Sequence, residues 1–314
     1  MSLMTASLTI LIPVYRGADS LAELTAELAR VLPTITLTYE VIFIDDASPD
    51  ASWTVIETLR RQYPFVRGIQ LMRNYGQHNA LLCGIRAARH DIIVTMDDDL
   101  QHPPSEIPRL LAALAAGADV VYGTPEREQH GIFRDLASQI TKFALQHSMG
   151  VSVARKVSAF RAFRTGLREA FIHYRSSWVS IDVLLTWGTT RFAAVNVRHD
   201  ERKYGVSGYT FGKLVRHAAN MITGFSVLPL QIASLLGFAF AVFGLFVLVY
   251  VIGRALLEGI VVPGFAFLAS IVAIFSGVQL FALGIIGEYL ARIHFRSMER
   301  PVYTVRGMTD DPHA

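Results

Sequence analysis

The chain is poor in the residues that mark a disulfide-stapled or nucleic-acid-binding protein. Its 314 residues include one cysteine, Cys83, so an internal disulfide is impossible and a reducing compartment suits it. Cys83 lies in an apolar helical stretch and is expected to pack rather than react. Charge is also scarce: Asp, Glu, Lys and Arg make up 18% of the residues against 52% hydrophobic, too apolar a balance for a wholly water-soluble protein. The net charge of +3 comes from a moderate excess of arginine and not from a basic tail. Acidic partners such as phosphates or anionic lipids are therefore expected, and nucleic acid is not. No basic region or cleavage site precedes Leu8-Thr9-Ile10-Leu11-Ile12, which reads as a strand and not as a signal peptide.

Two runs lack charge altogether, Val227 to Ile252 and Ile260 to Ile286. Each exceeds the ~20 residues needed to cross a ~30 Å hydrocarbon core. A transmembrane hairpin over residues 227–291 is expected, in preference to a buried soluble helix pair. Lys203, Lys213 and Arg216 precede it and Arg292, Arg296, Arg300 and Arg306 follow, whereas the turn holds only Arg254 and Glu258. The positive-inside rule then places the preceding domain and a tail over 292–314 in the cytoplasm. Gly277, Gly284 and Gly287 would allow close helix packing, and Gln231 and Gln279 are expected to face protein rather than lipid. Residues 209–226, with Lys213, Arg216 and His217 beside Phe211, Leu214 and Met221, read as an amphipathic helix along the membrane surface.

Residues 1–208 form the remaining domain. Strand-like pieces at Leu8 to Val14, Tyr39 to Asp45, Val66 to Arg73, Ile92 to Asp97 and Asp119 to Tyr122 alternate with amphipathic stretches. That alternation predicts an α/β fold, a Rossmann-like, mainly parallel sheet with helices on both faces. In such sheets ligands bind at the carboxyl ends of the strands. Those ends carry Pro13 to Tyr15, Asp45-Asp46, Arg73-Asn74 and, after Ile92-Ile93-Val94-Thr95-Met96, the run Asp97-Asp98-Asp99. Adjacent carboxylates repel one another and are costly to desolvate, so a positive group is expected among them. Mg²⁺ or Mn²⁺ carrying a phosphorylated substrate is the leading choice. The competing reading is an acidic turn open to water.

Residues 124–210 are less regular and rich in arginine: Arg127, Arg134, Arg155, Arg161, Arg164, Arg198 and Arg202. Guanidinium groups match phosphate bidentately, which suggests a second anionic substrate; ordinary surface arginines are the alternative.

Taken in order, several motifs resemble family 2 glycosyltransferases of the GT-A fold that act on polyprenyl phosphate. These are Ile12-Pro13-Val14-Tyr15, Asp45-Asp46-Ala47-Ser48, Arg73-Asn74-Tyr75-Gly76-Gln77-His78, DDDLQHPPSEIPRL, Ala159-Phe160-Arg161, H-x-x-R-x-x-G-x-S-x-Y at His199 to Tyr209, and Gly287 to Ile293. That group includes undecaprenyl-phosphate 4-deoxy-4-formamido-L-arabinose transferases, bactoprenol glucosyltransferases and, more distantly, dolichol-phosphate mannose synthase.

The resemblance implies a catalytic role for Asp97, Asp99 and Arg134, with Asp97, Asp99 and Gln101 as metal ligands. It places Pro13, Tyr15, Asp45, Asn74, Asp97 and Asp98 around the nucleotide sugar, with Asp45 accepting a hydrogen bond from the base. Asp98 stands where relatives often have alanine, so its side chain is not expected to be essential. Arg127, Arg134, Ser138 and Arg202 would receive the acceptor phosphate. UDP is the expected nucleotide, with GDP or dTDP open; the lipid bilayer is a partner and a homo-oligomer such as a tetramer is expected. The location implied is the bacterial inner membrane, multi-pass, with the catalytic domain and C-terminus cytoplasmic. A lipid phosphate is largely ionised at neutral pH, its second pKa lying near ~6, so no general base is strictly required.

Two departures stand out. Arg16-Gly17 replaces the Asn-Glu usual after the tyrosine, and Arg155 stands where many relatives carry an acid. A catalytically impaired protein that binds nucleotide sugar or scaffolds a membrane complex is therefore a second reading. A processive polysaccharide synthase is disfavoured, because no Gln-x-x-Arg-Trp motif occurs and two spans are too few for a pore.

Overall fold

The structure is a computed structural model that describes residues 6–125, 156–176, 179–200, 203, 228–258 and 264–309. The chain divides into two compact units, residues 1–215 with 299–314, and residues 216–298.

The first unit is built on an eight-stranded sheet of β1 (Leu8–Val14), β2 (Tyr39–Asp45), β3 (Val66–Leu71), β4 (Ile92–Thr95), β5 (Val120–Pro125), β6 (Arg161–Arg164), β7 (Phe192–Val197) and β8 (Val305–Met308). Their order across the sheet is β7-β5-β6-β4-β1-β2-β3-β8. The five strands expected from the sequence all form. β1, β2, β3 and β4 are mutually parallel, and β5 pairs in parallel with β7. β6 inserts antiparallel between β4 and β5, and β8 lies antiparallel on β3. The sheet is thus mixed, because the chain leaves its βα rhythm after β5. β6 and β8 have four residues each, and β7 has six within the irregular arginine-rich stretch; none was expected from the sequence.

The helices are α1 (Leu21–Val31), α2 (Ser52–Gln62), α3 (Gln77–Ala87), α4 (Ile107–Ala115) and α5 (Ile181–Thr186). Side chains alternate across each strand, so the sheet feeds two cores. On one face Ile10, Ile12, Val41, Phe43 and Val94 pack with Leu24 and Leu28 of α1, Ile56 of α2 and Leu110 and Leu114 of α4. On the other, Leu11, Ile42, Ile44, Ile93 and Tyr122 meet Leu81, Leu82 and Ile85 of α3 and Leu184 of α5, with Cys83 among them. Burial pushes the Cys83 thiol up to about 12, so packing is its state at neutral pH. Each fully buried Leu, Ile or Phe contributes roughly 1.5–3 kcal/mol, enough in sum to hold the strand ends of both layers in register.

Within the stretch read as a tail, residues 302–309 fold onto the sheet. Met72 N donates to Thr304 O at 2.9 Å, Gly68 N to Thr309 Oγ1 at 2.9 Å and Thr309 N to Gly68 O at 3.0 Å. A Cβ on Gly68 would stand 2.6 Å from Ile56 and 2.8 Å from Thr309, so only glycine lets helix and chain end close on β3 together.

The second unit comprises α6 (Leu228–Glu258) and α7 (Phe265–Ser297). Both contain stretches long and apolar enough to cross a membrane, Pro229–Arg254 and Ile274–Ser297. α7 continues past the charge-free run because Glu288 and Arg292 pair along its surface at 2.8 Å. Two expectations are corrected here. Gly277, Gly284 and Gly287 face open space, and the close approach lies instead at Gly244 against Phe275, where Phe240 also meets Phe275 edge-on at 5.6 Å. Gln231 and Gln279 are exposed on this chain rather than packed against it. The expected amphipathic helix over 209–226 lies outside the described residues.

Candidate active site

β4 supplies the centre of the site. Ile92 to Thr95 are buried on both faces, and one further buried residue, Met96, separates the strand from the acids. Thr95 Oγ1 donates to Ala159 O at 2.7 Å and accepts from Arg161 Nε at 3.1 Å. Arg161 in turn pairs with Asp182, whose carboxylate also accepts from the Tyr122 hydroxyl at 3.0 Å. This corrects the reading of Arg161: it is neither a phosphate ligand nor a surface group, but is 2% exposed inside the domain. Burial, and the Asp182 charge beside it, hold the Tyr122 hydroxyl protonated far above its usual range. Arg164 and Arg198 are likewise engaged, with Asp119 and Asp200.

Beyond Thr95 the chain turns through half-buried Asp97, Asp98 and Asp99. The turn is strained, since Leu100 adopts φ 61°. The same holds for the loops at the carboxyl ends of β1 and β2, which contain Arg16 at φ 61° and Ala47 at φ 52°, while the β3 loop turns at Gly76, φ 92°, a conformation glycine adopts freely. Left-handed backbone is uncommon for residues other than glycine and collects where function requires it. Of the four such non-glycine residues among the described residues, three are in these loops.

Hydrogen bonds link the four loops. Arg16 N donates to Ser48 Oγ and Gly17 N to Ser52 Oγ, both at 3.1 Å, joining the β1 and β2 ends. Asp46 accepts from Tyr75 N at 2.7 Å and Gly76 N at 2.8 Å, joining β2 to β3. Gln77 Nε2 donates to Asp97 Oδ1 at 2.6 Å, joining β3 to the acid turn. Burial, with Asp45 as a like-charged neighbour, raises the Asp46 carboxyl above its ordinary value despite the two amides. Asp45 itself is fully buried and accepts from Ser48 N at 3.1 Å and Gln70 Nε2 at 3.2 Å.

On the far side of the turn Gln101 N donates to Asp99 Oδ1 at 3.1 Å, Gln101 O accepts from Asp200 N at 2.8 Å, and the Gln101 amide lies 3.3 Å from His199 Nε2. His102 anchors the turn: its ring is stacked on Phe160 and meets His199 edge-on. Burial, then the His199 charge, lower His102 to about 4, so the anchor is neutral at pH 7.

The structure thus brings Asp45, Asp97, Asp98, Asp99 and Gln101 into one bonded set of loops, with Pro13 half-buried and Tyr15 and Asn74 exposed at its edge. Arg127, Arg134, Ser138, Arg155 and Arg202 lie outside the described residues. Sequence reasoning gave no role to Gln77, His102 or Asp182. Gln77 was foreshadowed only by its place after Gly76 at the start of α3, where a left-handed residue ends the loop.

Asp97, Asp99 and the Gln101 amide each offer hard oxygen donors of the kind that Mg²⁺ or Mn²⁺ prefers. Among the described residues no three His, Cys, Asp or Glu side chains gather into a group that could hold a metal ion by itself. An open set fits a cation that completes its shell with water and substrate phosphate oxygens, as Mg²⁺ commonly does.

Residues 9–172 match the glycosyl transferase family 2 model. The chain is 33% identical over 303 residues to the undecaprenyl-phosphate 4-deoxy-4-formamido-L-arabinose transferase of Pectobacterium carotovorum subsp. carotovorum (strain PC1), covering 96% of this chain and 93% of that one. It is 33% identical over 305 residues to the transferase of the same name from Yersinia pestis (strain Pestoides F), covering 95% and 92%. Among solved structures, glucosyl-3-phosphoglycerate synthase from Mycobacterium tuberculosis, bound to phosphoglyceric acid, superposes with TM-score 0.53 at 17% identity over 70% of this chain and 78% of that one. The same enzyme with Mn²⁺, UDP and glucosyl-3-phosphoglycerate gives 0.51 at 18%, with the same coverage. The shared architecture is the GT-A fold.

Proposed function

The chain belongs to glycosyl transferase family 2, and from that premise we propose that it moves a sugar from a nucleotide-sugar donor onto undecaprenyl phosphate, inverting C1. The observation that carries this reading is the set of four left-handed loops bonded around Asp97 and Asp99 at the carboxyl ends of β1 to β4. Strained, cross-linked loops holding acids where ligands bind suit a donor whose diphosphate comes with a divalent cation.

Asp97, Asp99 and Gln101 hold that cation, which when bound neutralises charge on the departing nucleotide diphosphate. Tyr15 and Pro13 border the nucleoside, and the nucleotide is UDP. A lipid phosphate oxygen bonds to C1 on the face opposite the leaving diphosphate. Because that phosphate is already largely ionised, the remaining task is to hold two anions close together. Arg127, Arg134, Ser138 and Arg202 do this in our reading, on the resemblance of their sequence positions.

α6 and α7 cross the bacterial inner membrane as a hairpin. Support comes from β8: residues on both sides of the hairpin belong to one sheet, so the chain must return to the side it left, which two crossings achieve. The positive-inside rule makes that side cytoplasmic.

Membranes containing the protein, given undecaprenyl phosphate, Mg²⁺ or Mn²⁺ and a panel of labelled nucleotide sugars, should yield butanol-extractable label with one donor. Label that stays aqueous with every donor, while a known transferase run in parallel succeeds, refutes the proposal.

A further inference from the structure

Two features singled out in the sequence, the glycine at position 17 and the middle aspartate of the acid turn, meet in space. A Cβ built on Gly17 would stand 2.0 Å from Asp98 Oδ2, 3.1 Å from its Cγ and 3.1 Å from Val14 Cγ1. Gly17 is not one of the glycines with left-handed backbone, which are Gly76 and Gly117 among the described residues. Conformation would therefore admit any residue at 17, and the Asp98 carboxylate, more than the Val14 methyl, is what excludes a side chain there.

The loop cannot readily step aside. Gly17 N donates to Ser52 Oγ at 3.1 Å, Gly17 O accepts from Ser20 N at 3.1 Å and Ser20 Oγ at 2.9 Å, and Ala18 N donates to Asp50 Oδ2 at 3.3 Å. On the other side the acid turn is set by Leu100 at φ 61°. A carboxylate placed between two others is costly through repulsion and desolvation. An alanine at 98 would remove that cost, yet the chain has an aspartate there and a bare glycine opposite it.

We propose that Asp98 is a positioning residue of the donor site, with Gly17 as the gap that admits it. Its carboxylate fills the space between the β1 loop and the acid turn, and so sets the spacing between the wall that carries Tyr15 and the aspartates of the turn. The inference rests on the donor-binding reading above, in which these two walls hold the nucleoside and the cation-bound diphosphate. It reverses the expectation that the Asp98 side chain is dispensable.

Gly17→Ala tests this without touching Asp98. The added methyl cannot coexist with the carboxylate, which is the end of a side chain and must turn away, and an unchanged melting temperature would show that the fold survives while the carboxylate moves. Binding of UDP, GDP and dTDP, each with Mn²⁺, would be measured on full-length detergent-solubilised wild type, Gly17→Ala, Asp98→Ala, Asp98→Asn and the Gly17→Ala/Asp98→Ala pair. Expected is a loss of about tenfold in affinity for each alanine single variant and no further loss in the pair, the non-additivity of residues acting through one contact. Asp98→Asn, which keeps the shape, should lose less. Donor KM should rise by the same factor while acceptor KM and the melting temperature hold. Wild-type affinity in Gly17→Ala, or single losses that multiply in the pair, overturns the inference and leaves the donor reading standing. A wild type that binds none of the three nucleotides overturns both.

Discussion

The two ends of the sheet treat their acids in opposite ways. At the amino ends, Glu40, Asp91 and Asp119 are each met by a cation, a hydroxyl or both. Glu40 accepts from Arg67 at 2.7 Å, Thr9 at 2.8 Å and Arg89 N at 2.8 Å. Asp91 accepts from Ser7 Oγ at 2.7 Å, and Asp119 from Thr189 at 2.6 Å and Arg191 at 2.9 Å. Burial alone would raise the Glu40 carboxyl, but Arg67, the Arg89 amide and Thr9 outweigh it and hold the group below its ordinary value. At the carboxyl ends, Asp46 has only amides to set against burial and Asp45, and its carboxyl is raised. The first end is balanced when folding is complete. The second keeps strained loops and neighbouring like charges together, which suits the ligand proposed for it.

The comparison can be broken at either end. Asp97→Ala or Asp99→Ala should lower sugar transfer on the order of 10³-fold while leaving the melting temperature unchanged or higher, because a cation ligand is lost and a repulsion relieved. A fall in stability together with activity would mean these acids support the fold instead. Arg67→Ala should do the reverse, costing about 3–5 kcal/mol by leaving Glu40 buried without its cation. Denaturant melts would report it, and the transfer rate per folded molecule should hold.

A smaller effect is expected at the edge that touches both ends. Ending the chain after Arg300 removes β8 and the buried Val302, for a loss of about 2–4 kcal/mol from the lost apolar burial and ladder bonds. Faster proteolysis near Gly68 to Met72, with α6 and α7 still in the membrane fraction, is the sign to look for.

The smallest effect is on pH dependence. Glu40 has a folded-state pKa below its unfolded one, so its contribution is complete above the ordinary glutamate value of 4.5 and fades as pH falls beneath it. Asp46 has the opposite sign: its raised carboxyl favours the folded state as pH falls toward the ordinary carboxylate range, and that benefit is gone once pH rises past the raised value. Glu40→Gln should therefore flatten the acid limb of the stability curve. If that limb keeps its wild-type slope, the amino end is not where the acid sensitivity lies.

Much of this was legible in advance because it is local. The short apolar, β-branched runs marked β1 to β5, the charge-free runs marked α6 and α7, and the acids following apolar strands marked the candidate site, since each depends on neighbours within a dozen residues. Arg161 was misjudged for the complementary reason. Its partners Thr95, Tyr122 and Asp182 are far away in the chain, and an arginine gives no local sign of being buried. β6 and β8 were invisible for the same cause: four-residue strands are specified by the edge or gap they fill.

What the sequence determined alone was the alternation of elements and the kind of chemistry their ends could support, because hydrophobic period and residue type act over short range. Which acids meet a cation within the fold and which gather at the candidate site was decided only by tertiary structure. Arg67 reaches Glu40 across 27 positions and Gly17 clears a place for Asp98 across 81. Electrostatic and steric pairing depends on distance in space, and the fold alone sets that distance.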